Sequence, residues 1–233
     1  HVLGLPYAEY FATPLGERLF HAYRVLELPA TLRGEPSKLL RTLRNRHTLI
    51  DAELERIQPD VVVELGAGLS RRGLTFALDA GVRYVEIDLP AMVAYKRQLL
   101  VTRVPPALRA RLGDRLRMLD VDIFAPGFTD VLAKELHGAQ RPVVIAEGVV
   151  GYFDTAQRIA LLERVRHALP AAGTFLADLR VKEGQAAATR LLRLGIWVAT
   201  RGRGASASFT SEAEVRDMLQ RGLLADFLAA RLG

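Results

Sequence analysis

The 233-residue sequence predicts an α/β protein built on an open, doubly wound, mostly parallel sheet. Three observations carry this expectation. Short apolar runs alternate with amphipathic stretches of helical spacing between about residue 61 and residue 179. The first run, Val61-Val62-Val63-Glu64-Leu65, is apolar almost throughout, as a parallel strand covered on both faces must be. It ends in Gly66-Ala67-Gly68 and passes straight into a helical pattern, the layout of a strand feeding a ligand-binding loop.

Residues 1–58 contain no strand-like run and read as a helical N-terminal cap, with residues 59–233 forming the sheet domain. Pro14 to Leu28 and Lys38 to Ile57 carry apolar residues at three- and four-residue spacing, broken by Pro29 and Gly34-Glu35-Pro36. Strand one spans 61–65, and a helix follows over about 70–79, closed by Asp79-Ala80-Gly81. Strand two spans 83–87, and Pro90 is placed to start the next helix, to about 102. Pro105-Pro106 interrupts the chain before a short third strand at 116–119. A helix over 127–137, strand four over 142–147, a helix over 155–168 and strand five over 174–179 complete the alternation. Beyond it, helical patterns at 185–199 and 211–221 flank the glycine- and serine-rich stretch from Arg201 to Ser208. Leu223 to Leu232 reads as either a last strand or a helix.

Half of the residues are apolar and a quarter are charged, the balance of a globular protein. No apolar run approaches the ~20 residues of a membrane span. The N-terminal residues lack the charged-then-apolar layout of an export signal, so the cytoplasm is the expected compartment. The absence of cysteine excludes disulfides, thiolate metal sites and cysteine nucleophiles. The net charge of +6 comes almost entirely from arginine, with only Lys38, Lys96, Lys134 and Lys182 as lysines. A nucleic-acid surface would produce such an excess, and so would a GC-rich genome. The arginines are scattered among acids with no dense basic block, which favours the second reading. It leaves a mild pull on anionic substrates.

In an open α/β sheet, ligands sit at the carboxyl ends of the strands. Four polar features fall there: Gly66-Ala67-Gly68, Asp88, Asp120-Val121-Asp122 and Glu147. Glycine in the loop lets a ligand approach the backbone. Asp88, 22 positions after Gly66, suits both hydroxyls of an adenosine ribose. Asp120 suits an adenine amine or a neighbouring backbone group. Glu147 ends an apolar strand, where an unpaired buried carboxylate would be costly, so a ligand-facing role is expected. The dinucleotide pattern G-x-G-x-x-G is broken by Arg71 in the third glycine's place, which disfavours a nicotinamide oxidoreductase. The five histidines show no metal-binding spacing, and neither a G-x-S-x-G elbow nor a phosphate loop occurs. Tyr152 and Phe153 are candidates to line a substrate pocket, whereas Trp197 is better explained by core packing.

Several blocks coincide with one family. Arg46-His47-Thr48-Leu49-Ile50-Asp51 fits an R-x-x-x-[IL]-D box ahead of strand one. E-L-G-A-G-L-S-x-R, Y-V-E-I-D-L-P with Lys96 after it, and A-E-G-V-x-x-Y-F follow in order. Together they resemble the leucine carboxyl methyltransferase family, whose bacterial branch includes O-methyltransferases of polyketide and other secondary metabolism. The resemblance implies a Rossmann-like class I methyltransferase that uses S-adenosyl-L-methionine. By it, Arg46 would hold the cofactor's methionine carboxylate, and Gly66 and Gly68 would pack against the methionine portion. Asp88 would bind the ribose, Asp120 and Val121 would frame the adenine, and Glu147 would face the cofactor's amino end. Glu64, Ala67 and Leu89 flank these positions and are counted with the cofactor site. The N-terminal helices would close over the acceptor.

Methyl transfer from a sulfonium to a carboxylate needs no base, which fits a sequence without an obvious one. The expected reaction is O-methylation of a carboxylate, or of a hydroxyl, on a small and anionic acceptor. The rival readings are methylation of a carboxylate on a tRNA base or a protein C-terminus, and a non-catalytic cofactor-binding partner.

Overall fold

The computed structural model describes residues 4–26 and 37–178, together with residues 218 and 220. The expected elements at 185–199 and 223–232 lie outside these residues, as does nearly all of 211–221. Among the described residues, a five-stranded, all-parallel sheet forms the centre, in the order β3-β2-β1-β4-β5. Its strands are β1 (Val61–Leu65), β2 (Arg83–Asp88), β3 (Leu116–Asp120), β4 (Pro142–Ala146) and β5 (Thr174–Ala177). The chain runs outward from β1 through β2 to β3, then returns to lay β4 on the opposite side of β1. That reversal opens a crevice between the carboxyl ends of β1 and β4, where ligands collect in folds of this kind.

The helices are α1 (Pro14–Leu26), α2 (Lys38–Ile57), α3 (Arg72–Asp79), α4 (Pro90–Arg103), α5 (Pro106–Leu112), α6 (Phe128–Leu136) and α7 (Thr155–Ala168). Local chemistry sets several of their limits. Ser37 accepts from the Leu40 amide to cap α2, and Gln58 closes that helix in a left-handed conformation. Asp154 and Gln157 form a reciprocal capping box at the start of α7. The proline pair at 105–106 does more than interrupt the chain. Pro106 opens α5, because proline at the first helical position lacks only an amide that would have no partner anyway.

Side chains alternate across the sheet. Val62, Tyr84, Val143 and Ile145 pack with Phe11, Ile50, Leu54, Leu74 and Leu99 on one face. Val63, Leu65, Val85, Ile87 and Val144 pack with Phe128, Leu132, Leu136, Leu161 and Val165 on the other. The strand period of two therefore sends Glu64, Glu86 and Asp88 to the face of Val62 and Tyr84. The central strands β1 and β4 are buried at every position. Each fully buried aliphatic side chain contributes about 1.5–3 kcal/mol, so the crevice stands on the most firmly held part of the molecule.

Candidate functional site

The loop after β1 is tied down at the end of β2. Gly66 donates its amide to the Ile87 carbonyl at 2.8 Å, and Gly68 donates to Asp88 Oδ2 at 2.7 Å. Asp88 Oδ1 accepts the Leu89 amide at 2.7 Å. Each Asp88 oxygen thus has one backbone donor and retains acceptor capacity. Gly66 has φ 62°, and a Cβ there would come within 2.7 Å of Val149 Cγ2. A side chain at this position would both strain the turn and close the gap between the loop and β4. The helix–strand contact that a third glycine gives in dinucleotide folds is made two residues later than that pattern places it. A Cβ on Gly73 would strike the Glu86 carboxylate and Leu116.

A second group of charges occupies the crevice between β1 and β4. Arg72, at the first position of α3, is 1% exposed and reaches three carboxylates. Its Nε donates to Asp51 Oδ1 at 2.7 Å, Nη1 to Glu64 Oε1 at 2.8 Å and Nη2 to Glu147 Oε2 at 2.5 Å. Arg71 also donates to Asp51. The other oxygen of Glu64 accepts the Tyr84 hydroxyl at 2.8 Å. Glu147 Oε1 accepts Arg46 Nε at 2.6 Å and lies 3.0 Å from His47 Nδ1. Burial opposes the charge on Glu147, but the His47 hydrogen bond and the guanidinium groups of Arg72 and Arg46 outweigh it. They hold the carboxyl well below its ordinary range. Arg72 loses solvation yet stays firmly charged, because Glu64, Glu147 and Asp51 surround it.

Arg46 reaches the crevice from α2. Besides Glu147, its Nη1 donates to Asp178 Oδ2 at 3.3 Å, while Asp178 Oδ1 accepts the Gly148 amide at 2.5 Å. Gly148 has φ 69°, a left-handed conformation that favours glycine, and a Cβ there would meet the Arg46 guanidinium only at ordinary contact distance, 3.5 Å.

The structure therefore gathers Arg46, Gly66, Gly68, Glu147 and Asp88 around the carboxyl ends of β1, β2 and β4. Asp120 is exposed at the end of β3, in register beside Asp88. Leu89 is 55% exposed and Tyr152 is 45% exposed, on the rim. Glu64 lies behind the crevice with both oxygens taken by Arg72 and Tyr84, so it acts on the site through Arg72. Sequence reasoning gave no role to Asp51, Arg72, His47 or Asp178. The first three lie inside the family-like blocks, and Asp178 lies within the expected fifth strand, 174–179, but follows β5 in the structure. A cavity next to Gly68 and Asp88 is lined by Ala67, Glu86, Met92, Val93, Lys96 and Met118. Among the described residues no metal-ligand cluster occurs, and no helix is long and apolar enough to cross a membrane.

A sequence model of the leucine carboxyl methyltransferase family matches residues 1–166. No curated protein matches the chain in sequence. Among solved structures, the S-adenosylmethionine-dependent methyltransferase SibL in its apo form superposes with a TM-score of 0.57 at 15% identity, over 92% of this chain and 54% of that one. LaPhzM superposes with a TM-score of 0.52 at 20% identity, over 93% and 55%. The glycopeptide N-methyltransferase MtfA, complexed with S-adenosyl-L-methionine, is 27% identical over 53% of this chain and 48% of that one, with a TM-score of 0.39. The chain spans about half the length of these structures. SibL and LaPhzM share its fold. Matched over most of its length, the chain belongs to the leucine carboxyl methyltransferase family.

Proposed function

We propose that the protein is an S-adenosyl-L-methionine-dependent O-methyltransferase acting on a carboxylate of a small, anionic acceptor. Family membership supports the reaction class. One observation supports the assignment of the site: Asp88, bonded to Gly68, ends β2 on one side of the Gly66–Gly68 turn, and Arg46 bonds Glu147 after β4 on the other. A guanidinium at one end suits the cofactor's carboxylate. An acceptor-only carboxylate at the other suits ribose hydroxyls. Gly68, where a Cβ would meet nothing nearer than the Gly66 carbonyl at 4.0 Å, leaves room for the chain between them. Asp120 and Val121 stand beside Asp88 for the adenine, with Ala67 and Leu89 flanking.

When bound, the cofactor supplies an electrophilic methyl group on a good leaving group. The protein's work is then alignment and exclusion of water, which together supply about 7–11 kcal/mol in well-oriented reactions. Glu147, held ionised by its three partners, orients Arg46 and His47 and would present negative charge towards the cofactor's amino end. Glu64 keeps Arg72 in place beneath it. Residues 1–58 would form the cap over the acceptor, with Tyr152 on the rim of its pocket.

A hydroxyl acceptor is the second reading. It is favoured by His47, whose Nδ1 faces Glu147 while the side chain keeps 27% of its exposure. An imidazole oriented by a carboxylate is the arrangement of a general base.

Calorimetric titration tests the site first. Wild type should bind S-adenosylmethionine with a Kd of roughly micromolar order, and Asp88→Ala should weaken it about tenfold or more. No binding by a folded wild type would overturn the assignment. Turnover on a panel of carboxylic acids, unchanged in His47→Asn, would support the carboxylate reading. Turnover confined to hydroxyl acceptors and lost in His47→Asn would establish the second.

A further inference from the structure

We propose that Asp178 is an internal occupant of the cofactor's carboxylate subsite, and that it lowers cofactor affinity by competing for Arg46. This rests on the reading of Arg46 given above. Asp178 Oδ2 accepts from the Arg46 guanidinium at 3.3 Å, and its Oδ1 accepts the Gly148 amide at 2.5 Å. A carboxylate bridging a guanidinium and a backbone amide is the contact pattern that a free carboxylate ligand makes. The pocket for it is built: Gly148 takes a left-handed conformation that presents its amide, and the Arg46 guanidinium lies 3.5 Å from where a side chain would begin.

Two carboxylates already share Arg46, and they are not equivalent. Glu147 is 5% exposed and fixed by Arg46, Arg72 and His47. Asp178 is 16% exposed and meets Arg46 at the longer distance. Arg72 offers no spare positive charge, since Asp51 and Glu64 flank it. A third carboxylate arriving at Arg46 would place three anions around one cation. Of the two, Asp178 is the more exposed and the more distant from Arg46, and is the one we expect to be displaced.

The test is calorimetry on the full chain with S-adenosylhomocysteine and, separately, 5′-methylthioadenosine, which lacks the carboxylate and the amine. Asp178→Asn should bind S-adenosylhomocysteine about three- to tenfold more tightly than wild type and methylthioadenosine equally well. Asp178→Ser serves as the second variant, and a thermal melt verifies that each is folded. Weaker binding of S-adenosylhomocysteine by both variants would overturn the inference and make Asp178 a ligand of the cofactor's amine. An equal change for both ligands would also overturn it, showing an effect on the fold. Arg46→Met separates the two levels. If it leaves S-adenosylhomocysteine binding unchanged, the Arg46 reading fails and takes this inference with it. If it weakens binding while the Asp178 variants do not tighten it, only the inference fails.

Discussion

Two glutamates with little exposed side chain, one within β2 and one just after β4 on the other side of β1, have opposite fates. Glu147 follows β4 and meets three nitrogen-bearing side chains, which hold its carboxyl below the ordinary range. Glu86 lies within β2, is 2% exposed, and meets one, Lys96 Nζ at 2.7 Å. Burial dominates there, Lys96 opposes it only in part, and the acids Glu64 and Asp88 add to it, so Glu86 is pushed up to about 7. Neither oxygen of Glu86 has a well-formed hydrogen bond. Burial alone therefore does not set the charge of a carboxylate in this fold; the number and geometry of its donors do. One glutamate is a fixed anion, and the other changes charge near neutrality.

The strongest way to break the contrast is to remove the shared cation. Arg72→Met leaves Asp51, Glu64 and Glu147 facing one another, and should cost about 3–5 kcal/mol in denaturant unfolding at pH 7. Arg72→Lys should recover only part of this, because an ammonium cannot span three carboxylates as a planar fork does.

Stability against pH sharpens it next. The native pKa of Glu86 lies above its ordinary 4.5, so the folded state binds more protons between the two values. Its contribution therefore falls as pH rises from about 5 past 7, by at most about 3 kcal/mol. Glu147 is shifted the other way. Its contribution is present above pH 4.5 and is lost as pH falls below it. Glu86→Gln should flatten the neutral limb of the stability profile, and Glu147→Gln the acid limb. An unchanged neutral limb in Glu86→Gln would remove the contrast.

A smaller effect is expected where both partners of the isolated pair go. Glu86→Gln with Lys96→Met should fall within about 1 kcal/mol of wild type by denaturant unfolding, since a buried pair recovers little more than its desolvation. The smallest belongs to the rim. Tyr152→Ala should shift stability by less than about 0.5 kcal/mol, and raise the acceptor's KM if Tyr152 lines the acceptor pocket as proposed.

Much of this architecture is legible in the sequence. β1, α2 and α7 fall at 61–65, 38–57 and about 155–168, where the apolar spacing places them. β5 closes at Ala177, two residues before the expected 179, leaving Asp178 to bond with Gly148 and Arg46. The glycines and acids at the carboxyl ends of the strands are visible because they interrupt apolar runs. The charge cluster behind them is not. Asp51 and Arg72 belong to different helices and meet only after α2 and α3 pack on the same face of the sheet. Glu86 reads as an ordinary polar position of a strand, and only the packing of Gly73 and Lys96 over it shows how deeply it is enclosed.

The two ends of the cleft also differ in how much chain they tie together. The Gly68–Asp88 bond closes a segment of 20 positions, whereas Arg46–Glu147 closes one of 101. Loop-closure entropy alone makes the second dearer by about 1.4 kcal/mol. The proposed ribose end is thus a local structure that a nascent chain completes early, and the proposed carboxylate end is a long-range contact that waits for β4. Affinity for the nucleoside part and affinity for the amino-acid part would therefore report on different stages of the same folding reaction.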